Sequence, residues 1–265
     1  MASDSLLMVP GPTNVPPRIM RAMNKPLINH RGPEFRELYR RLLENLKYAF
    51  QTSNDVFPIT ASGTGGVECA VGNLVSPGDE VLTIHFGLFG ERMKEAVARR
   101  GGIPIEVRAE WGEHPSLEQV KEALEANPKI KSITLVYNET STGVTWKVLP
   151  ELGKLARKHD KILIVDAVSA LAGEPLPVDQ WNIDVCVAGS QKCLACPPGI
   201  SLVSVSPRAY EVLAENKHRP FYFDLEACRS FAERGETPFT PAIPLFYALD
   251  EALNLLQQEG RIRLQ

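Results

Sequence analysis

The sequence predicts an α/β fold in which a mostly parallel sheet lies between layers of helix. Two observations carry that reading. Short apolar, β-branched runs alternate with stretches of helical periodicity along most of the chain, and 44% of the 265 residues are hydrophobic against 23% charged, enough apolar mass for one large core. Such alternation is βαβ connectivity, and ligands of such sheets bind beyond the carboxyl ends of the strands.

Residues 1–20 are expected to form an extended arm, because Val9-Pro10-Gly11-Pro12-Thr13-Asn14-Val15-Pro16-Pro17 has too much proline for a helix or a central strand. Residues 21–265 then form one domain. After Pro33 the apolar spacing Phe35, Leu38, Leu42, Leu43, Leu46, Phe50 predicts a long amphipathic helix, and residues 55–60 a short strand. Helices follow over 66–75, 90–100, 116–126 and 149–159, alternating with strands over 80–84, 103–107, 130–136 and 162–165. Strands over 185–188 and 200–204 bring the sheet to seven. No internal repeat, linker or low-complexity tract interrupts the pattern.

The formal net charge is -3, with Lys and Arg dispersed, so no footprint for nucleic acid or an acidic membrane surface is present. Small molecules are the expected partners. Five cysteines, an odd count, with no signal peptide ahead of them read as a reduced chain, and no apolar run reaches the ~20 residues of a membrane span. A cytoplasmic location is the expectation.

Four segments carry chemistry. Thr60-Ala61-Ser62-Gly63-Thr64-Gly65-Gly66 runs from a strand end through a glycine-rich turn into a helix, an anion site by virtue of free N–H groups and the helix dipole, with the Ser62 and Thr64 hydroxyls as further donors. The same segment also reads as a plain turn with an N-cap. Asp166 ends the apolar run Ile162-Leu163-Ile164-Val165, where a buried carboxylate needs a cationic partner: a protonated pyridine nitrogen, a metal, or simply the amides of the next turn. Lys192, in Gly189-Ser190-Gln191-Lys192, is a loop lysine in an otherwise apolar region, where desolvation favours the neutral, nucleophilic amine. An acid for one end of pyridoxal 5'-phosphate (PLP) and an amine for its aldehyde together point to Schiff-base chemistry. Val136-Tyr137-Asn138-Glu139-Thr140-Ser141-Thr142-Gly143-Val144 adds hydroxyls and an amide at another strand end, and Phe89 is an aromatic ring able to stack on a flat ligand or to pack in the core. Cys193-x-x-Cys196 lacks the second pair of a zinc set, so no metal site is expected.

These segments, in this order, resemble the class V (fold type I) aminotransferases, most closely the alanine–glyoxylate and serine–pyruvate aminotransferase family. The matching pieces are Pro10-Gly11-Pro12-Thr13-Asn14-Val15-Pro16, Ser62-Gly63-Thr64, Gly90-Glu91-Arg92, Glu139 through Val144, Val165 through Ser169, and Gly189-Ser190-Gln191-Lys192 with Pro197-Pro198-Gly199. The resemblance implies the large domain of a PLP-transferase and transamination between serine or alanine and glyoxylate or pyruvate. It implies Lys192 as the Schiff-base lysine and proton shuttle and Asp166 at the pyridine nitrogen. Ser62, Gly63, Thr64 and Gln191 would hold the phosphate, Phe89 and Val168 the two ring faces, and Thr140 would lie near the ring hydroxyl. Thr240 would reach the phosphate of a neighbouring subunit, which implies a homodimer with shared active sites. Residues 245–259 read as the helix leading out of the large domain, so the family's C-terminal small domain, which carries the carboxylate-binding arginine, is expected to be missing by truncation; the other candidates for that task are Arg31, Arg219 and Arg234. A cysteine desulfurase-like lyase, which needs a nucleophilic Cys well beyond the lysine where only Cys228 lies, and a PLP-binding protein without turnover are the alternatives.

Overall fold

The computed structural model describes residues 6–260; the first five residues of the expected arm and the last five of the chain lie outside it. The arm is extended only as far as Pro16. Pro17 opens a short helix, α1 (Pro17–Ala22), because proline is preset for the first helical position and needs no N–H there. Ile19 and Ala22 turn inward from it. Helix α2 (Pro33–Phe50) follows as expected, burying Phe35, Leu38, Leu42, Leu46 and Phe50 along one stripe.

From there strands and helices alternate: β1 (Asp55–Thr60), α3 (Gly63–Leu74), β2 (Glu80–His85), α4 (Leu88–Arg99), β3 (Ile103–Arg108), α5 (Leu117–Ala126) and β4 (Ile130–Val136). A two-stranded hairpin, β5 (Asn138–Glu139) with β6 (Val144–Thr145), occupies the segment that reads as a polar loop. The chain continues through α6 (Leu149–Lys158), β7 (Ile162–Asp166), β8 (Val185–Gly189), β9 (Ile200–Val205), α7 (Pro207–Glu215), α8 (Leu225–Ala232) and α9 (Ile243–Glu259). The helices α7 and α8 are additions to the sequence reading. Both have legible starts: Ser206 and Asp224 cap them with side-chain oxygens, and Pro207 takes the first position of α7. Helix α5 carries a full capping box, Ser116 with Gln119.

The seven-stranded sheet has the order β1-β9-β8-β7-β4-β2-β3. Five neighbouring strands, from β8 to β3, are parallel, and β9 alone runs against both of its neighbours. Successive residues of β7 point to opposite faces, so Leu163 and Val165 enter one apolar layer and Ile162 and Ile164 the other. The first layer includes α1, α2, α5, α6 and α9; the second includes α3, α4, α7 and α8. With both faces covered, the central strands are apolar throughout, and each fully buried aliphatic side chain contributes about 2 kcal/mol of transfer free energy. The sheet is thereby a rigid floor beneath the loops at its carboxyl edge.

Candidate active site

Those loops form one cleft of about 890 Å³. Ser62, Gly63, Thr64, Phe89, Asp166, Val168, Gln191 and Lys192, eight of the residues singled out from the sequence, line it. Thr140 and Thr240 do not.

Helix α3 begins three residues earlier than its apolar pattern suggests, so that Gly63 and Thr64 belong to its first turn. Ser62 is the N-cap, its Oγ accepting a long 3.4 Å hydrogen bond from the Gly65 N–H. The N–H groups of Gly63 and Thr64 are left without an intrahelical acceptor and meet the cleft at the positive end of the helix dipole. Gly63 also lies against Val168, since a Cβ on it would come within 2.8 Å of Val168 Cγ2.

Asp166 is the last residue of β7 and is buried. Its Oδ1 accepts the Val168 N–H at 2.8 Å, the turn that sends the chain away from the sheet, while Oδ2 has no hydrogen-bond partner among the described residues. Burial pushes its pKa up to about 6, and the nearby Glu139 adds to the rise; the Val168 N–H and Lys192 oppose it. A carboxylate held in this state favours any ligand that brings a proton or positive charge.

Lys192 stands on a loop that is knotted by Ser190, whose Oγ donates to the Pro197 carbonyl (2.7 Å) and accepts from the Ile200 N–H (3.3 Å). Ala195 takes a left-handed conformation to close the turn and donates its N–H to the Lys192 carbonyl. Burial lowers the Lys192 pKa, with Cys193 and Asp166 opposing the shift. Its Nζ donates to the carbonyl of Pro10 at 3.2 Å, and Thr13 binds the backbone of the same loop through Thr13 N to Gln191 O (3.1 Å) and Thr13 Oγ to Lys192 O (3.1 Å). The N-terminal arm is thus a wall of the cleft. Gly11 is the closest approach: its φ is +156°, and a Cβ there would lie 2.7 to 2.8 Å from Lys192 Cδ, Cε and Nζ.

Phe89 sits in the first turn of α4, with the Arg92 guanidinium 5.0 Å from its ring centroid. Thr140 donates to Ser169 Oγ at 2.8 Å, and Asn138 donates to the same oxygen at 2.8 Å, so this segment is tied to the loop after Asp166 through Ser169. Thr240 is exposed in the loop ahead of α9. That loop is held by Arg31, which donates to Glu236 (2.9 Å), to the Thr237 carbonyl (2.7 Å) and to the Pro238 carbonyl (3.2 Å). Arg219 is similarly engaged by Asp224 and two carbonyls, and Arg234 stacks on Phe231. None of Arg31, Arg219 and Arg234 lines the cleft, so the candidates for a substrate carboxylate are not brought to it. Sequence reasoning missed the Pro10 carbonyl and Glu139. The first is a backbone atom with no residue-type signal; the second lies in a polar stretch whose burial only the fold reveals.

One observation tests a PLP-sized anion directly. The Oε1 of Gln191 is buried, lies at the cleft and has no hydrogen-bond partner. That oxygen is an acceptor, so no protein donor fixes the orientation of the amide, and its Nε2 hydrogens are the group that would donate to a phosphate; with the free N–H groups of Gly63 and Thr64 they make a donor set that fits a phosphate monoester.

The comparison with known sequences decides the family: the profile described as Aminotransferase class-V matches residues 6–264. The chain belongs to the class V aminotransferases. An uncharacterized aminotransferase of Methanocaldococcus jannaschii is 44% identical over 261 residues, covering 98% of this chain and 68% of the relative. A serine–glyoxylate aminotransferase of Methylorubrum extorquens is 38% identical, covering 96% of this chain and 65% of its own length. Among solved structures, an alanine–glyoxylate aminotransferase from Nostoc sp. superposes with a TM-score of 0.94 at 36% identity, covering 98% of this chain and 69% of that one. The seven-stranded sheet is therefore that of the fold type I large domain, and the chain spans about two thirds of each relative. Class V aminotransferases are PLP-dependent enzymes. Among the described residues no group of three or more His, Cys, Asp or Glu could hold a metal, and no helix is long and apolar enough to cross a membrane.

Proposed function

We propose that this chain binds PLP in the cleft and transfers an amino group between a small amino acid, serine or alanine, and a 2-oxo acid, glyoxylate or pyruvate. The observation that carries the reading is the joint placement of a buried Asp166 carboxylate with an open Oδ2 and a Lys192 amine of lowered pKa in one cleft. Relatives named for serine–glyoxylate and alanine–glyoxylate transamination support the substrate class.

Bound PLP supplies an electron-withdrawing ring that stabilises negative charge at the substrate α-carbon. The chain's residues then divide the work. Gly63, Thr64, Ser62 and Gln191 would hold the phosphate, Phe89 and Val168 would flank the ring, and Thr140 would lie near its hydroxyl. Asp166 would keep the ring nitrogen protonated, because its carboxylate gains a partner in place of lost water. Lys192 Nζ, whose pKa burial lowers, is the base that takes the α-proton and the acid that returns it. The carbonyl of Pro10 gives that amine a resting acceptor when it carries a proton. The domain unit is residues 21–265 with the arm as its cleft wall, at work in the cytoplasm.

We further assign Thr240 to the cleft of a second copy, since it is exposed and its loop is held firmly by Arg31 without touching its own cleft. A desulfurase reading has no such support: Cys228 is buried in α8, outside the cleft lining, and burial pushes its thiol up to about 12.

Titration with PLP tests the reading. An absorbance band of a lysine adduct is expected in the wild type, trapped by borohydride at residue 192 and missing in Lys192→Ala; a wild type that binds no chromophore defeats the proposal. Mixing Lys192→Ala with Thr240→Ala chains should restore part of the amino-transfer activity that each lacks, because a hybrid pair would own one intact cleft. Two inactive parents whose mixture stays inactive would remove Thr240 from the shared site.

A further inference from the structure

Helix α4, which carries Phe89 into the cleft, begins at a residue that cannot cap it: its N-cap is Gly87 and makes no side-chain hydrogen bond. The cap comes from a distant part of the chain. Glu139, at the end of β5, is fully buried, and its carboxylate accepts the N–H of Phe89 (3.1 Å) and of Gly90 (3.0 Å). Ser141 completes the arrangement, donating its N–H (3.1 Å) and hydroxyl (2.6 Å) to Glu139 Oε1 and accepting the Leu88 N–H at 3.0 Å. The first three amides of α4 are therefore all bound by one buried anion and its neighbour, at the positive end of the helix.

The side chain reaches there because Gly87 leaves room. A Cβ at position 87 would stand 2.5 Å from Glu139 Cγ, 2.6 Å from Cδ and 2.6 Å from Ser141 Oγ. Burying an ion with no cationic partner is costly, and four donors aimed at it offset that cost only if the helix start stays where it is.

Resting on the PLP-binding reading above, we infer that Glu139 is a positioning residue for the cofactor ring: by capping α4 from the β5–β6 hairpin it fixes Phe89 over the place where the ring binds. The segment that supplies Thr140 and the helix that supplies Phe89 are thereby locked together. The Glu139 charge is also near enough to Asp166 to raise that group's proton affinity, so the same side chain is felt from two sides of the cleft.

The test uses the full chain, with PLP and inorganic phosphate as separate probes and amide hydrogen exchange as a measure that needs no cofactor. In Glu139→Ala, PLP affinity should fall roughly tenfold, the loss of an aromatic stacking contact. Affinity for inorganic phosphate, which engages the start of α3 and Gln191 and not Phe89, should stay the same, and exchange protection at Phe89 and Gly90 should disappear. The double variant with Phe89→Ala should bind PLP no more weakly than Phe89→Ala alone, because both changes remove one contact. Should Glu139→Ala not fold, Gly87→Ala displaces the same carboxylate while leaving it in the chain and is expected to reproduce the effects. Effects of Glu139 and Phe89 that multiply, or amides that stay protected, would overturn the inference. A wild type that binds no PLP would instead defeat the functional reading, and the exchange result would still decide the cap.

Discussion

Replacing Asp166 by Asn should stabilise the cofactor-free protein, and the gain should depend on pH. Burial raises the Asp166 pKa from its ordinary 3.8 to about 6. The folded chain therefore holds this proton more tightly than the unfolded chain does. The stability contributed by the neutral carboxyl is complete below pH 4 and is lost as pH climbs through about 6, a loss of roughly 3 kcal/mol by pH 7. Asn has the same shape, keeps an acceptor for the Val168 N–H and does not ionise. Asp166→Asn should accordingly match the wild type near pH 4 and exceed it at pH 7 by up to roughly 3 kcal/mol, or about 6 °C in melting temperature. Urea and thermal denaturation from pH 4 to 8 measure the gap. Saturating PLP should close or reverse it, because the cofactor stabilises the form that retains the carboxylate. A gap that is flat with pH, or a variant less stable than wild type at pH 7 without PLP, would refute the reasoning.

Other changes report on other parts of the cleft. Gly11→Ala sets a methyl against the end of the Lys192 side chain, so adduct formation with PLP, followed by absorbance after mixing, should slow by about an order of magnitude, the effect of roughly 1.4 kcal/mol on the barrier. Its melting temperature should fall as well, because a φ of +156° is one that an L side chain rarely adopts. Ser62→Ala removes a long N-cap bond and should cost only about 0.5 kcal/mol of stability in urea, at the low end for a cap, while weakening inorganic phosphate in a competition assay with PLP. Arg31→Ala frees the loop before α9 and should increase amide exchange at residues 236–240 without changing it in the loop that carries Lys192.

Much of this architecture was legible in the sequence because periodicity is a property of residue order alone. The apolar run of β7 and the stripe on α2 need no tertiary knowledge, and Asp166 and Lys192 stood out because each interrupts an apolar context. Helices α3 and α4 begin three and two residues ahead of the expected 66 and 90, because the first turn of α3 is glycine and threonine behind the Ser62 cap and the start of α4 is fixed by the distant Glu139. Helices α7 and α8 are short, and their signals are the caps Ser206-Pro207 and Asp224 at their starts. What the sequence did not disclose is contact across distance. Glu139 reads as one polar residue among several, and only the fold shows that it is the cap of a helix fifty residues upstream.

The wall made by Pro10 to Thr13 has a consequence for how the protein is made. Those residues leave the ribosome well before their partners, Gln191 and Lys192, which follow 178 to 182 positions later. Strand β1 waits as well, because its neighbour in the sheet is β9, with Asp55 opposite Val205. A nascent chain can assemble β2, β3 and β4 with their helices long before either pairing is possible, and the entropy of closing so long a loop grows only slowly with its length. The cleft thus comes into being late: the emerging chain has part of its sheet before it has a place for chemistry.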